Sequence, residues 1–284
     1  MAKGNGIGRR QAVKLAALGM AGAMSAPGAD WPVKASREPF GGLKVGLASY
    51  TTRKLSLDDT IAALKRLQIK YIALKSFHLP LESTTAERKA VGKKLADAGL
   101  TLMGCGVINL KNDEKEIRDA FQYCQDVGSP TAVISPDPDA LPTLDRVIKE
   151  FPNLRAAIHN HGPEDKKFPS PGGVYKAIQS LDKRIGCCVD VGHTFRLNED
   201  PAAAIKMVST RLYDVHLKDL AATGEKPPLI PVGRGVMDIP AIFKALTDVK
   251  FSGHVALEWE DEADNPVPGM AESFGFVRGV FARG

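Results

Sequence analysis

Eight short runs rich in β-branched and apolar residues recur along the chain, most of them followed by an amphipathic stretch, and this alternation restricts the fold more than any other feature. The runs are Leu43–Ala48, Tyr71–Leu74, Thr101–Val107, Thr131–Ser135, Ala156–His159, Ile185–Asp190, Leu212–His216 and His254–Glu258. Apolar runs of this length suit strands buried on both faces, as in a parallel sheet. Segments between them, such as 60–67, 85–98, 114–127, 202–208 and 239–246, have helical periodicity. Asp58 and Asn112 are the expected N-caps, Pro201 and Pro240 stand in first turns, and Gly99 and Gly128 stand where helices should stop. Parallel neighbours need crossover helices, and eight such units close a sheet, so residues 43–284 are expected to form a single (β/α)8 TIM barrel. The competing architecture, a doubly wound open sheet, would carry Gly-x-Gly-x-x-Gly after its first strand, and none stands there.

Residues 1–29 read differently. A basic stretch ending in Arg9-Arg10 precedes a weakly apolar run, Leu15 to Met24, with small residues at Ala21-Gly22-Ala23. The segment Gly8-Arg9-Arg10-Gln11-Ala12-Val13-Lys14 is similar to the twin-arginine export motif without its usual Phe-Leu pair. Residues 1–29 are therefore expected to be a signal peptide and 30–42 a linker, the protein being periplasmic or secreted with no stable membrane anchor once the signal is removed. No other run approaches the roughly 18 apolar residues of a membrane span. Lys3, Arg9, Arg10 and Lys14 carry most of the net charge of +5, and the other 34 basic residues face 33 acidic ones. A nearly neutral body lacks the single-signed basic surface that nucleic-acid binding requires. Cys105, Cys124, Cys187 and Cys188 show no Cys-x-x-Cys spacing and read as buried apolar residues rather than a disulfide framework or a metal clip.

In a barrel the chemistry sits where the strands end. Strand five ends in His159-Asn160-His161, strand six in Asp190-Val191-Gly192-His193, strand seven in His216-Leu217-Lys218-Asp219 and strand eight in Glu258-Trp259-Glu260. Alternation puts His159 with His161, His216 with Lys218, and Glu258 with Glu260 on common faces. Each of these residues alone reads as a hydrogen-bonded core group. Four at successive strand ends are different, because two buried carboxylates are costly without a cation. His159, Asp190, His216 and Glu258 are thus the expected ligands of a divalent metal. The mixed nitrogen and oxygen set suits Mn, Zn, Fe or Co and does not choose among them. Lys218 is the competing source of positive charge.

The segments Val189-Asp190-Val191-Gly192-His193, His216-Leu217-Lys218-Asp219, Gly233-Arg234-Gly235-Val236-Met237-Asp238-Ile239 and Leu257-Glu258 resemble the sugar phosphate isomerase/epimerase proteins of the xylose isomerase-like barrel superfamily, from about residue 43 onward. The resemblance implies a metal held by Glu, Asp, His and Glu on strands five to eight. Asp190, His216 and Glu258 take three of these places, and His159 stands where the first Glu is expected.

By resemblance the chain is expected to isomerise or epimerise a carbohydrate through an enediolate. A single carboxylate opposed by imidazoles also serves elimination, so a lyase or dehydratase on a keto-sugar or keto-glycoside, like the inosose dehydratase branch, is the alternative. A noncatalytic carbohydrate-binding barrel is a further one. Glu258, His161 and His193 are the candidate acid/base groups. Lys75, His78, Lys218 and Arg234 are candidate contacts to a small carbohydrate substrate, and Asp219 and Glu260 candidates for orienting ligand side chains. The sequence leaves the sugar, the metal and any oligomerisation open.

Overall fold

Each buried run forms a strand within a residue or a few of its expected bounds. The structure is a computed structural model that describes residues 38–282. The expected signal peptide and most of the linker lie outside the described residues. The strands are β1 (Lys44–Ala48), β2 (Tyr71–Leu74), β3 (Thr101–Leu110), β4 (Thr131–Pro136), β5 (Arg155–His159), β6 (Ile185–Asp190), β7 (Leu212–Leu217), β8 (Asp219–Leu220), β9 (Leu229–Ile230) and β10 (His254–Leu257). β8 and β9 form a small antiparallel ribbon, and the other eight close into a parallel barrel. Pairing of β1 with β10, Lys44 opposite His254 through Leu47 opposite Leu257, shuts the ring. A doubly wound sheet would leave two edges, and this barrel has none.

The α-helices are α1 (Leu57–Arg66), α2 (Thr85–Asp97), α3 (Glu114–Val127), α4 (Leu141–Val147), α5 (Pro171–Ile178), α6 (Val191–Arg196), α7 (Pro201–Met207), α8 (Ile239–Asp248) and α9 (Val267–Ala282). Pro201 and Pro240 lie in first turns, and Gly99 and Gly128 follow the ends of α2 and α3, as expected. The two N-caps differ from expectation. The Ser56 hydroxyl accepts from the Asp59 N–H and caps α1, leaving Asp58 inside the first turn. Asp113 caps α3 through the Lys115 and Glu116 N–H groups, while Asn112 accepts from the Thr143 hydroxyl. In each case the capping side chain is the neighbour whose oxygen reaches the free N–H groups.

Helices cover the outer face of the sheet with Leu64, Phe121, Ile205, Phe243 and Phe274, all essentially inaccessible. Each such side chain contributes roughly 1.5–3 kcal/mol by leaving water. All four cysteines are free and buried. Cys187 belongs to the main core and Cys188 to a small cluster with Val133 and Ala157. Beyond that cluster the core turns polar, with Asp214 and His254 both buried. No helix among the described residues is long and apolar enough to cross a membrane.

Candidate metal centre

Four strands deliver four side chains able to ligate a metal to the same end of the barrel. His159 and Asp190 are the last residues of β5 and β6, His216 lies one residue before the end of β7, and Glu258 follows β10, its N–H donating to the Leu217 carbonyl. None is more than 3% exposed. His159 Nε2 is 3.0 Å from His216 Nδ1 and 3.4 Å from Asp190 Oδ2, and His216 Nδ1 is 3.0 Å from Glu258 Oε2. One ligand atom from each residue lies within 4.8 Å of every other. Neighbouring donors each about 2.1 Å from a common ion stand roughly 3.0–3.4 Å apart in octahedral or tetrahedral arrangements, so these separations fit one ion. Asp190 Oδ2 is buried and makes no well-formed hydrogen bond, its nearest partners being the Lys218 ammonium at 3.1 Å and His159 Nε2 at 3.4 Å, and a bound cation would satisfy its remaining lone pair. The residues fit a divalent metal.

Lysines enter from both sides. Lys218 Nζ lies 3.1 Å from Asp190 Oδ2 and 3.2 Å from Glu258 Oε2 and also meets Glu260, while Lys75 Nζ is 3.0 Å from Glu258 Oε1. Burial works against ionisation of both carboxylates. His193 and Lys218 around Asp190, and His216, Lys75 and Lys218 around Glu258, outweigh it and hold both groups well below the usual carboxylate range. Lys218 is likewise disfavoured by burial, but Asp190, Glu258 and Glu260 keep it firmly protonated. Burial pushes His159, His161 and His193 down, so all three are neutral near pH 7. Cys188 also reaches the ligand atoms of His159 and His216. Burial pushes its thiol well up, and a neutral thiol is a poor ligand.

His161 and His193 stand at the rim, their rings 4.4 and 5.8 Å from that of His159 and 6.0 Å from each other. A surface cavity of about 680 Å³ lies elsewhere, between α2, α3 and the end of β3, and holds none of the four candidate ligands. A smaller one of about 310 Å³ opens beside His193, Lys218 and Glu260.

Four expected roles are corrected. His78, expected at the substrate, is nearly buried, and both of its ring nitrogens are engaged by protein groups, Ser49, Thr60 and the Leu55 carbonyl. Arg234 turns outward, 64% exposed, to pair with Glu272 on α9. Asp219 orients no ligand. Its carboxylate accepts from the N–H groups of Leu220, Gly233, Gly235 and Met237 and shapes the segment after β7. A Cβ on Gly235 would stand 1.9 Å from Asp219 Oδ1, so only glycine lets the chain wrap the carboxylate this closely. Glu260 orients Lys218, not a ligand. Lys75 and Lys218 do reach the centre, held by carboxylates.

Three residues escaped the sequence reading. Arg196 lies 3.1 Å from His193 Nδ1, and its spacing from Asp190 and His193 in steps of three is a helical-face signal. Asp214 and His254 share strand parity with His216 and Glu258 and sit deeper in the barrel, 3.8 Å apart.

Residues 61–280 match the family described as Xylose isomerase-like TIM barrel. A stretch of 83 residues is 34% identical to "Putative L-ribulose-5-phosphate 3-epimerase SgbU" of Escherichia coli, over 28% of this chain and 29% of that protein, so it spans under a third of the curated relative it matches. Among solved structures, the IolI protein with a binding zinc atom superposes with a TM-score of 0.71 at 14% identity, covering 85% of this chain and 99% of the other. The probable 3-DHS dehydratase AsbF of Bacillus anthracis superposes at 0.67 with 12% identity, covering 83% and 98%. At these identities the superpositions speak for the fold alone.

Proposed function

The chain belongs to the xylose isomerase-like TIM barrel family, and from that premise we propose that it is a metal-dependent isomerase or epimerase of a small carbohydrate, working through an enediolate. The observation that carries this reading is the convergence of His159, Asp190, His216 and Glu258 at separations suited to one ion. A divalent Mn, Zn, Fe or Co ion held by these four side chains would draw electron density from a sugar carbonyl and its neighbouring hydroxyl, making the C–H bond between them acidic.

The chain's own groups then divide the work. Glu258 is ionised and held by Lys75 and Lys218, which makes it a good anionic ligand and a weak base. The neutral imidazoles of His161 and His193 are better matched to proton transfer and hydrogen bonding at neutral pH. Lys75 and Lys218 place positive charge beside the substrate oxygens.

One observation favours elimination as a second reading. Both rim imidazoles come from the β5 and β6 side of the mouth, whereas epimerisation needs a proton removed from one face of the carbon and delivered to the other. Removing the proton next to a carbonyl and losing a β-oxygen as water or alcohol requires a base on one side only.

Incubating the protein with keto-sugars in deuterated water decides between them. A product of unchanged composition carrying one solvent deuterium supports isomerisation or epimerisation. A product lighter by water or an alcohol replaces it with elimination. Stabilisation by the sugar that survives Glu258→Gln, without deuterium entry, reduces the protein to a binding barrel.

A further inference from the structure

Helix α6 starts from Asp190, whose side chain accepts the His193 N–H and caps it, so Asp190, His193 and Arg196 follow one another at three-residue steps along one face. The Arg196 Nη1 lies 3.1 Å from His193 Nδ1. A guanidinium has donors and no acceptor, so Nδ1 of a neutral imidazole must accept from it, and the ring proton resides on Nε2. The Arg196 side chain is only 13% exposed and is tied further to the Glu164 carboxylate and the Glu225 carbonyl, which fixes it against the ring. Gly162, with φ +82°, passes the same edge so closely that a Cβ would stand 3.3 Å from Nδ1. The opposite edge faces the metal centre. His193 Nε2 is 3.9 Å from Asp190 Oδ2, beyond hydrogen-bond distance, and has no other partner among the described residues.

We propose that Arg196 is a positioning residue that locks His193 as an Nε2–H donor aimed at a sugar oxygen gaining negative charge. This rests on the reaction read above and divides the two rim imidazoles. His161 takes the C–H proton, the bond's electron pair becomes the carbon–carbon double bond of the enediolate, and the carbonyl oxygen that gains charge is met by His193. The proton on His161 returns to carbon, or leaves with the departing oxygen in an elimination. His193 keeps its own proton, since surrendering it would leave an imidazolate. A neutral imidazole used in this way polarises a carbonyl without transferring a proton.

The test is ¹⁵N NMR of the ring nitrogens in the full protein, the His193 signals being assigned among the six histidines by their absence from His193→Gln. Wild type is expected to show Nε2 protonated and Nδ1 bare, and Arg196→Met to show Nδ1–H or a mixture. Glu164→Gln, which removes one of the two ties on Arg196 and leaves the Glu225 carbonyl and the Arg196–His193 hydrogen bond, is expected to retain the wild-type tautomer. Lower kcat in Arg196→Met, by about 10- to 100-fold with KM nearly unchanged, would accompany the switch. Nδ1–H in wild type overturns the proposal, as does an unchanged tautomer in Arg196→Met. The NMR measurement needs neither sugar nor metal, so the expected tautomers alongside an inert enzyme would refute the reaction and His193's part in it while leaving Arg196 as the group that sets the tautomer.

Discussion

The Lys218 ammonium stands 3.1 Å from Oδ2 of Asp190, with both side chains at most 3% exposed. That oxygen also faces His159 within the ligand set, so Lys218 supplies positive charge to the carboxylates that a metal would share. In the metal-free protein the lysine is what makes two buried anions tolerable.

Replacing it, as in Lys218→Met, should therefore destabilise the metal-free protein by about 3 kcal/mol, a fall in Tm of roughly 6–12 °C for a domain of this size. Added divalent metal should recover more of that loss than it adds to wild type. Calorimetry with and without metal checks this. Equal metal-induced shifts in the two proteins would show that Lys218 and a cation do not share these carboxylates.

Asp219 satisfies four backbone N–H groups from a nearly buried position, a structural role that its place beside Lys218 in the sequence disguises. Asp219→Ala should cost roughly 2–4 kcal/mol through those orphaned donors. The amides of Gly233 and Gly235 should then exchange with solvent much faster. Urea titration and hydrogen exchange measure both, and unchanged exchange at these glycines would contradict the role.

The barrel could be read from the sequence because buried parallel strands leave a dense apolar signal, and all eight runs found their places. The convergence of the four candidate ligands could be read for a related reason: strand ends in a closed barrel converge, and parity fixes which residues turn inward. Residues outside the barrel strands were harder. His78, Arg234 and Asp219 look as polar as the ligands, but their direction depends on partners distant in sequence, Ser49, Glu272 and Gly233. Asp214 and His254 were missed because a polar pair inside a barrel breaks the expectation of an apolar interior.

That pair has its own pH signature. Burial pushes His254 down to about 3 and Asp214 up to about 7, so both are neutral in the folded protein near pH 5. In the unfolded chain at that pH the histidine holds a proton and the aspartate has lost one. Folded and unfolded pairs thus bind equal numbers of protons between about pH 4 and 6.5, and their contributions to the slope cancel. Asp214→Asn leaves His254 alone, the unfolded state binds more protons, and stability should fall as pH drops from about 6.5 toward 3. His254→Gln leaves Asp214 alone, the folded state binds more, and stability should fall as pH rises from about 4 to 7. Each slope can reach about 1.4 kcal/mol per pH unit. Urea titrations of wild type and both variants across this range check the signs, and slope changes of the same sign relative to wild type in the two variants would contradict the assignment.

The proposed chemistry requires a cation gripped by side chains from four strands. Elemental analysis of the purified protein beside His216→Ala tests it most directly. About one equivalent of a divalent metal in wild type, largely lost from the variant, is the required result; equal, near-zero metal in both would contradict it.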